Sequence, residues 1–547
     1  MAAKDNQLDV IFNAVGIKRA NRRTKPCTFS EADVSSLLKD ASDNRDNTGW
    51  PCGQHVVLTS TPSGNSIQTI LTNWKNLTSK DADQPSTQRL YIPVGEGRYQ
   101  RYDASSQPMG DPDMLQKILG AGVSGGQVGK FDKYLAAIRT KPFILLAGIS
   151  GTGKSRLVRQ LAQGCCPSGH ELGKDKDGNA DKAKKPGNFE LIPVRPNWHD
   201  STELMGYVTR LTDGNKPKYI IKPFVKFLVK AAIYKDVPFF LCLDEMNLAP
   251  VEQYFAEYLS AIESRKAVNG GGRDYFKTDV VVKMGVAETA WDDNGNSVLH
   301  NALEKLFAPY KDASGNLDTW ASHVREVFTK DGGVSIPQNL VVMGTVNMDE
   351  TTCSFSRKVL DRAMSFELND VSDMYAPANL AGEGDYEFAS INVAAAKCSL
   401  LTGKEAYDKN TAYGDTILKY LETVNLYLEG TQFKIAYRSR NEIMIYCVER
   451  TNGGIVGLRQ ALDEATSMKI LSRIEGDDQK FASFDLKGFR KTIVKGLLAI
   501  DNPSVQDSDV EDFLKDEAKV KASPCASKLG HMIDELSHGA GFVSYWE

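Results

Sequence analysis

The stretch that most restricts this chain is residues 143–155, Phe-Ile-Leu-Leu-Ala-Gly-Ile-Ser-Gly-Thr-Gly-Lys-Ser. An apolar run enters a glycine-rich turn, and the turn enters Arg156-Leu157-Val158-Arg159-Gln160-Leu161-Ala162. That pattern reads as buried strand, tight loop and helix. Gly148, Gly153, Lys154 and Ser155 fit the spacing G-x-x-x-x-G-K-[ST], with Ser150, Gly151 and Thr152 at the inner positions. Glycines at this spacing let consecutive backbone N–H groups turn inward around a phosphate, and the helix start adds its positive dipole end. Lys154 would neutralise the β- and γ-phosphates, the Ser155 hydroxyl would hold a Mg²⁺, and Arg156 opens the helix beside them. Such a strand, loop and helix belong to an α/β fold with a parallel sheet.

A triphosphate site needs acids opposite that loop. Pro238-Phe239-Phe240-Leu241-Cys242-Leu243 is a continuous apolar run ending in Asp244-Glu245. Strands buried on both faces read this way, and their carboxyl ends face ligands in open α/β sheets. Asp244 would hold Mg²⁺ through water, and Glu245 would polarise the attacking water. A third apolar strand, Leu340-Val341-Val342-Met343-Gly344-Thr345-Val346, closes in Asn347, a polar group suited to placing that water. Arg357 and Arg362 follow on a short helical segment. Either could neutralise charge in a neighbouring subunit's site, or serve as a solvated helix charge.

These segments, in order, resemble the AAA+ superfamily, and more narrowly its McrB-like branch, over roughly residues 140–500. The resemblance is carried by the glycine-rich loop, Leu243-Asp244-Glu245-Met246-Asn247-Leu248-Ala249, Gly344-Thr345-Val346-Asn347-Met348-Asp349-Glu350 and Val359-Leu360-Asp361-Arg362-Ala363. Pro196-Asn197-Trp198-His199-Asp200, with Leu204-Met205-Gly206-Tyr207, is similar to that branch too. The resemblance implies an AAA+ P-loop parallel sheet with a helical lid. It makes residues 148–155 the Walker A loop, Asp244 and Glu245 the Walker B pair, and Asn347 the first sensor. Arg362 best matches the arginine that acts on a neighbour, with Arg357 second. Arg438, with Arg440 close by, resembles the second sensor that bridges lid and γ-phosphate; a capping or surface role is the alternative. The family uses Mg²⁺ with GTP or ATP. Met348 and the shortened spacing to Asp349 leave the choice of base open. The implied partners are other copies in a hexameric ring, DNA, and a separate McrC-like nuclease, because no nuclease motif is readable here.

At 547 residues the chain exceeds one ordinary core, since a domain takes about 150 residues. Residues 1–125 are rich in Asn, Ser, Thr, Gln and Gly and read as a small α+β domain, with helices over 8–15, 31–38 and 66–77. Thr28-Phe29-Ser30 would cap the second of these. Lys18, Arg19, Arg22, Arg23 and Lys25 lie close together, with Trp50, Trp74, Tyr99 and Tyr102 further on. They read as a nucleic-acid surface or as a solvated basic turn with core aromatics. Residues 1–115 carry 13 basic and 13 acidic side chains, so no net positive field separates the two. A protein-remodelling or nucleotide-switch module whose first domain binds protein is therefore the competing function.

The nucleotide core spans 126–375. A polar insertion at 169–187 is expected to be solvated. Residue 251–265 should be helical. An elaboration at 266–336 holds a strand at 278–286 and helices near 300–310 and 320–328; it is a pore-facing hairpin, a partner contact or a decoration. A lid at 376–500 follows, with helices over 391–401, 416–428, 440–449, 455–465 and 486–500. The tail, 501–547, has an acidic helix at 510–520 and ends in aromatics that would dock on a neighbour or on this chain. The net charge of −4 excludes a polybasic chain, and nine scattered cysteines without C-x-x-C fit free thiols in a reducing compartment. The histidines form no zinc pattern. With no long apolar run and no signal-peptide pattern, a cytoplasmic location is expected.

Overall fold

The computed structural model describes residues 131–347, 355–369, 399 and 401–546, with gaps at 168–169, 175–185, 212–216, 271–272, 285–296, 453–455, 478–480, 482–483 and 539–541, together with strand segments between 28 and 101. Residues 1–129 with 451–457 form one compact unit, and 130–450 with 458–547 form the other.

In the first unit, Thr28–Ser30 pairs antiparallel with Arg98–Arg101, which pairs in turn with Tyr91–Gly95. Asp46–Asn47 pairs with Val56–Val57. Thr28-Phe29-Ser30 is a strand, laddered to a distant segment. The helices expected over 8–15, 31–38 and 66–77, the basic run at 18–25, and Trp50, Trp74 and Tyr102 lie outside the described residues.

The second unit is α/β. Five parallel strands, β1 Phe143–Gly148, β2 Phe189–Pro193, β3 Phe239–Asp244, β4 Leu340–Asn347 and β5 Met364–Glu367, form one sheet in the order β5-β1-β4-β3-β2. The apolar runs are continuous because both faces are covered. On β1, Phe143, Leu145 and Ala147 enter one core with Phe239, Leu241 and Leu243 of β3 and Leu340, Val342 and Val346 of β4. The alternate residues Ile144, Leu146, Phe240 and Met343 are equally buried on the other face. The helix α1, Asp132–Thr140, precedes β1, and α2, Lys154–Gly164, follows it and buries Leu157, Val158, Leu161 and Ala162. On the first face lies α3, Pro223–Ile233, which starts on Pro223 and buries Phe224, Val225, Leu228 and Val229.

Several expected elements differ in detail. Residues 251–265 form two short helices, Val251–Tyr254 and Ala256–Ala261, broken at Phe255, whose ring stacks on Tyr258 at 4.3 Å. The insertion at 169–187 is pinned at both ends: Leu172 is buried, and Gly187 N–H donates to the Leu172 carbonyl at 2.6 Å. The elaboration after residue 265 begins with a hairpin, Lys266–Gly270 and Arg273–Lys277. A strand at Val280–Lys283 pairs with Gly333–Ser335. Its helices Val298–Phe307 and Thr319–Asp331 put Leu303, Leu306, Phe307 and Phe328 into the main core. These helices are thus part of the core that supports the sheet.

Beyond residue 400 the chain is helical. Thr411–Tyr427 (α4), Tyr437–Thr451 (α5), Leu458–Lys469 (α6) and Leu486–Asp501 (α7) occupy four of the expected spans, and 391–398 lie outside the described residues. The acidic stretch is split into Asp507–Lys515 and Glu517–Ala522, because Asp516 ends the first helix and accepts the Lys519 N–H at 3.2 Å to cap the second. After α8, Pro524–Ser537, the chain returns as a strand, Phe542–Ser544, against Glu475–Asp477. The terminal aromatics dock on their own chain: Trp546 Nε1 donates to the Ser472 carbonyl at 3.0 Å and its ring packs on Phe355. No helix among the described residues is long and apolar enough to cross a membrane.

Candidate active site

In the strand order, β4 lies between β1 and β3, so the carboxyl ends of all three meet at one edge of the sheet. The chain moves outward after β1 and back across it after β4, which makes their shared boundary the reversal point where open α/β sheets bind ligands. Asn347 is the register partner of Gly148, and Asp244 ends the next strand over. Residues about 100 and 200 positions apart are thereby placed side by side.

The loop between β1 and α2 has the backbone its glycines allow. Gly151 and Gly153 take φ of 87° and 82°, the left-handed region. A side chain on Gly148 would meet the Leu368 carbonyl oxygen at 2.7 Å and Asn369 Oδ1 at 2.8 Å. Ser150 and Gly151 are exposed, as is Arg156, and Thr152 Oγ1 donates to the Ile149 carbonyl at 3.1 Å. Lys154 is 6% exposed, and its ammonium lies within the loop, donating to the Gly148 carbonyl at 2.7 Å and the Ile149 carbonyl at 2.8 Å.

Facing the loop, Ser155 Oγ donates to Asp244 Oδ1 at 2.6 Å, and Thr345 Oγ1 donates to the same oxygen at 2.8 Å. Thr345 Oγ1 also accepts the Glu245 N–H at 2.8 Å. Glu245 is the one non-glycine residue with positive φ among the described residues, at 52°. This conformation costs about 1–2 kcal/mol and turns the exposed carboxylate aside from the strand axis. There Asn347 Nδ2 donates to Glu245 Oε1 at 3.0 Å, and Asn247 Nδ2 steadies the Asn347 carbonyl at 2.9 Å. The Cys242 thiol is pushed up by burial, with Asp244 adding to the shift, so it stays protonated and inert.

The donor set around Ser155 and Asp244 is all oxygen. No group of three or more His, Cys, Asp or Glu that could cage a metal occurs among the described residues. Mg²⁺ takes one or two protein oxygens, keeps several waters and fills its octahedron with substrate phosphate. A hydroxyl and a carboxylate 2.6 Å apart beside a phosphate-sized loop fit that ion.

The structure thus brings Gly148, Lys154, Ser155, Asp244, Glu245 and Asn347 together. It does not bring the arginines there. Arg362 lies just before β5, whose Met364 is paired with Ile144 near the start of β1. Its Nε donates to the Leu259 carbonyl at 3.0 Å and one terminal N–H to the Lys358 carbonyl at 2.8 Å. Arg357 donates to the Gln432 carbonyl at 3.2 Å and covers the Phe433 ring. Arg440 bonds Asn441 Oδ1 at 3.0 Å. Arg438 pairs with Glu263 Oε2 at 2.5 Å, and Glu263 Oε1 lies 2.9 Å from Lys141 and 3.7 Å from Arg362. Lys141 precedes β1, so this cluster sits at the amino edge of the sheet. At ~3.3 Å per residue that is about 20 Å from the loop. Within the chain, Arg438 does not bridge to the loop; Glu263 holds it at the far edge.

Four residues of these clusters were given no role in the sequence reading: Asn247, Glu263, Thr345 and Asn369, whose Oδ1 accepts the Ile149 N–H at 3.0 Å. Thr345 alone was discernible, as the one hydroxyl interrupting the apolar run of β4.

The family described as "Domain of unknown function (DUF8727)" matches residues 392–540. No curated protein matches the chain.

Proposed function

We propose that the chain is an AAA+ nucleoside triphosphatase of the McrB-like branch. It hydrolyses GTP or ATP with Mg²⁺ and works as a ring that drives DNA translocation for a separate McrC-like nuclease, in defence against foreign or modified DNA. The observation that carries the reading is the meeting of Lys154, Ser155, Asp244, Glu245 and Asn347 at one sheet edge. Lys154 would exchange its two loop carbonyls for phosphate oxygens. Ser155 and Asp244 would hold the ion, which supplies charge neutralisation on the β- and γ-phosphates. Glu245, oriented by Asn347, would accept the proton of the attacking water.

The test is triphosphate turnover with GTP and with ATP, with and without DNA. Lys154→Ala should weaken nucleotide binding roughly 10–100-fold, the worth of a charge-assisted contact. Glu245→Gln should keep binding and lower turnover about 10²–10⁴-fold. Wild-type turnover of neither nucleotide would refute the enzyme reading. The balanced charge of residues 1–115 favours a second reading, in which the first unit binds protein and the motor remodels it. A gel shift at low salt with the full chain separates the two.

A further inference from the structure

Three side chains tie the root of the glycine-rich loop to the C-terminal helices. The Gly148 carbonyl and the Ile149 N–H belong to one peptide unit, and in a trans peptide they point opposite ways. Lys154 Nζ donates to that carbonyl at 2.7 Å, and Asn369 Oδ1 accepts that N–H at 3.0 Å. The unit is thus held from both sides. Asn369 reaches it because β5 ends beside β1: Glu367 is the register partner of Ala147, and the Leu368 N–H donates to the Ala147 carbonyl at 2.8 Å.

Asn369 is itself held. Its Nδ2 donates to Glu367 Oε1 at 2.7 Å. A carboxylate only accepts and a backbone N–H only donates, so one orientation of the amide satisfies both neighbours. The same Glu367 oxygen takes the Lys528 ammonium of α8 at 3.1 Å. Lys528 is 7% exposed, and its ammonium lies 5.3 Å from the centre of the Tyr545 ring. A continuous run of polar contacts therefore leads from α8 through β5 to the loop.

We propose that Asn369 is a positioning residue for the glycine-rich loop, set by the Lys528–Glu367 ion pair, and that it makes the loop's nucleotide affinity depend on how α8 sits against β5. This rests on the triphosphatase reading. The direction follows from the two holds on the Gly148–Ile149 peptide. In the empty loop Lys154 occupies the carbonyl. When its ammonium goes to phosphate oxygens, Asn369 is the hold that remains. Loss of Asn369 therefore costs the loaded loop more than the empty one, and affinity falls. Glu245 and Asn347 orient each other, so the chemical step at saturation is spared.

The test is equilibrium binding of fluorescent GTP and ATP analogues to the full chain, with turnover as the second readout. Asn369→Ala should weaken binding about three- to tenfold, the worth of one hydrogen bond. It should raise KM by the same factor and leave kcat within about twofold, the mark of lost uniform binding. Lys528→Met, whose stem fills the same space, and Glu367→Gln should each weaken binding about two- to fivefold. Adding Lys528→Met to Asn369→Ala should cost nothing further, because the contact it sets is already gone. Lys521→Met removes a charge from the same cavity of about 360 Å³ but outside this run of contacts, and should leave affinity unchanged. Unchanged affinity in Asn369→Ala, an additive double variant, or an equal loss in Lys521→Met would overturn the proposal and leave the triphosphatase reading standing. If the wild type binds neither analogue, both fall.

Discussion

Glu442 of α5 offers the sharpest test of how the C-terminal helices are fastened to the sheet. Its two oxygens take two buried ammonium groups, Lys141 at 2.7 Å and Lys469 at 2.6 Å, with side-chain exposures of 9%, 6% and 0%. Lys469 also donates to the carbonyls of Asp361 and Ala363 at 3.0 and 2.9 Å. Replacing Glu442 by Gln keeps the shape, leaves the buried Lys469 ammonium without a carboxylate and leaves Lys141 only Glu263. Breaking such a buried pair costs about 3–5 kcal/mol. The charges facing Glu442 lead to a similar figure. Burial raises its carboxyl, but Lys141 and Lys469 more than offset that and hold it near 2 against the usual 4.5. At about 1.4 kcal/mol per pH unit this is roughly 3 kcal/mol of stability. Lys469 is lowered, by burial first, because it has one carboxylate and faces Lys141. A depressed carboxyl contributes fully above its unfolded value and is lost as pH falls through the folded one. Wild-type stability should therefore fall between about pH 4.5 and 2, and Glu442→Gln should lack that part of the slope. The unit holds roughly 410 residues, and a melting entropy of ~2 cal/mol/K per residue turns 3–5 kcal/mol into about 4–6 °C. Calorimetry at pH 7 reads it directly. As a control, Glu429→Gln, whose partner Lys434 is exposed, should move melting by less than about 1 °C. A Glu442→Gln melt within 1 °C of wild type would refute the buried-network argument.

Other substitutions probe the candidate site and the tail. Thr345→Val removes the hydroxyl that joins Asp244 to the Glu245 N–H; it should lower stability by about 2–4 kcal/mol in urea and turnover by tenfold or more. Glu245→Gly should abolish turnover while keeping stability or raising it by up to about 1 kcal/mol, because glycine relaxes the positive φ; a clear loss in the urea midpoint would contradict the strained turn. Gly148→Ala should reduce nucleotide affinity, since its methyl would push on Leu368 and Asn369; unchanged binding by a fluorescent nucleotide would show that the loop can shift. Trp546→Ala should cost about 2 kcal/mol through its lost contact with Phe355 and its bond to Ser472, read by thermal melting.

What the sequence determined is local. The glycine-rich spacing at 148–155, the apolar runs of β1, β3 and β4, and the acids and amide ending them were legible because each is one contiguous strand and its last residues. Strand periodicity also required both faces of the sheet to be covered, and they are. Helix existence after residue 400 was legible from periodicity; the break at Asp516 was not, because a single capping carboxylate outweighs continued helix propensity. What only the tertiary structure decided is adjacency. Nothing in the order of residues says that β4 inserts between β1 and β3, yet that insertion carries Asn347 to Glu245 and Thr345 to Asp244. Nor could spacing show that Arg438 faces Glu263 at the far edge rather than the loop. Arg438 and Glu263 are 175 positions apart, and their meeting depends on how the C-terminal helices pack against the sheet. A motif is written in neighbouring residues and survives in sequence. A shared carboxylate is written in the packing, where burial and charge pairing choose partners that chain distance does not record.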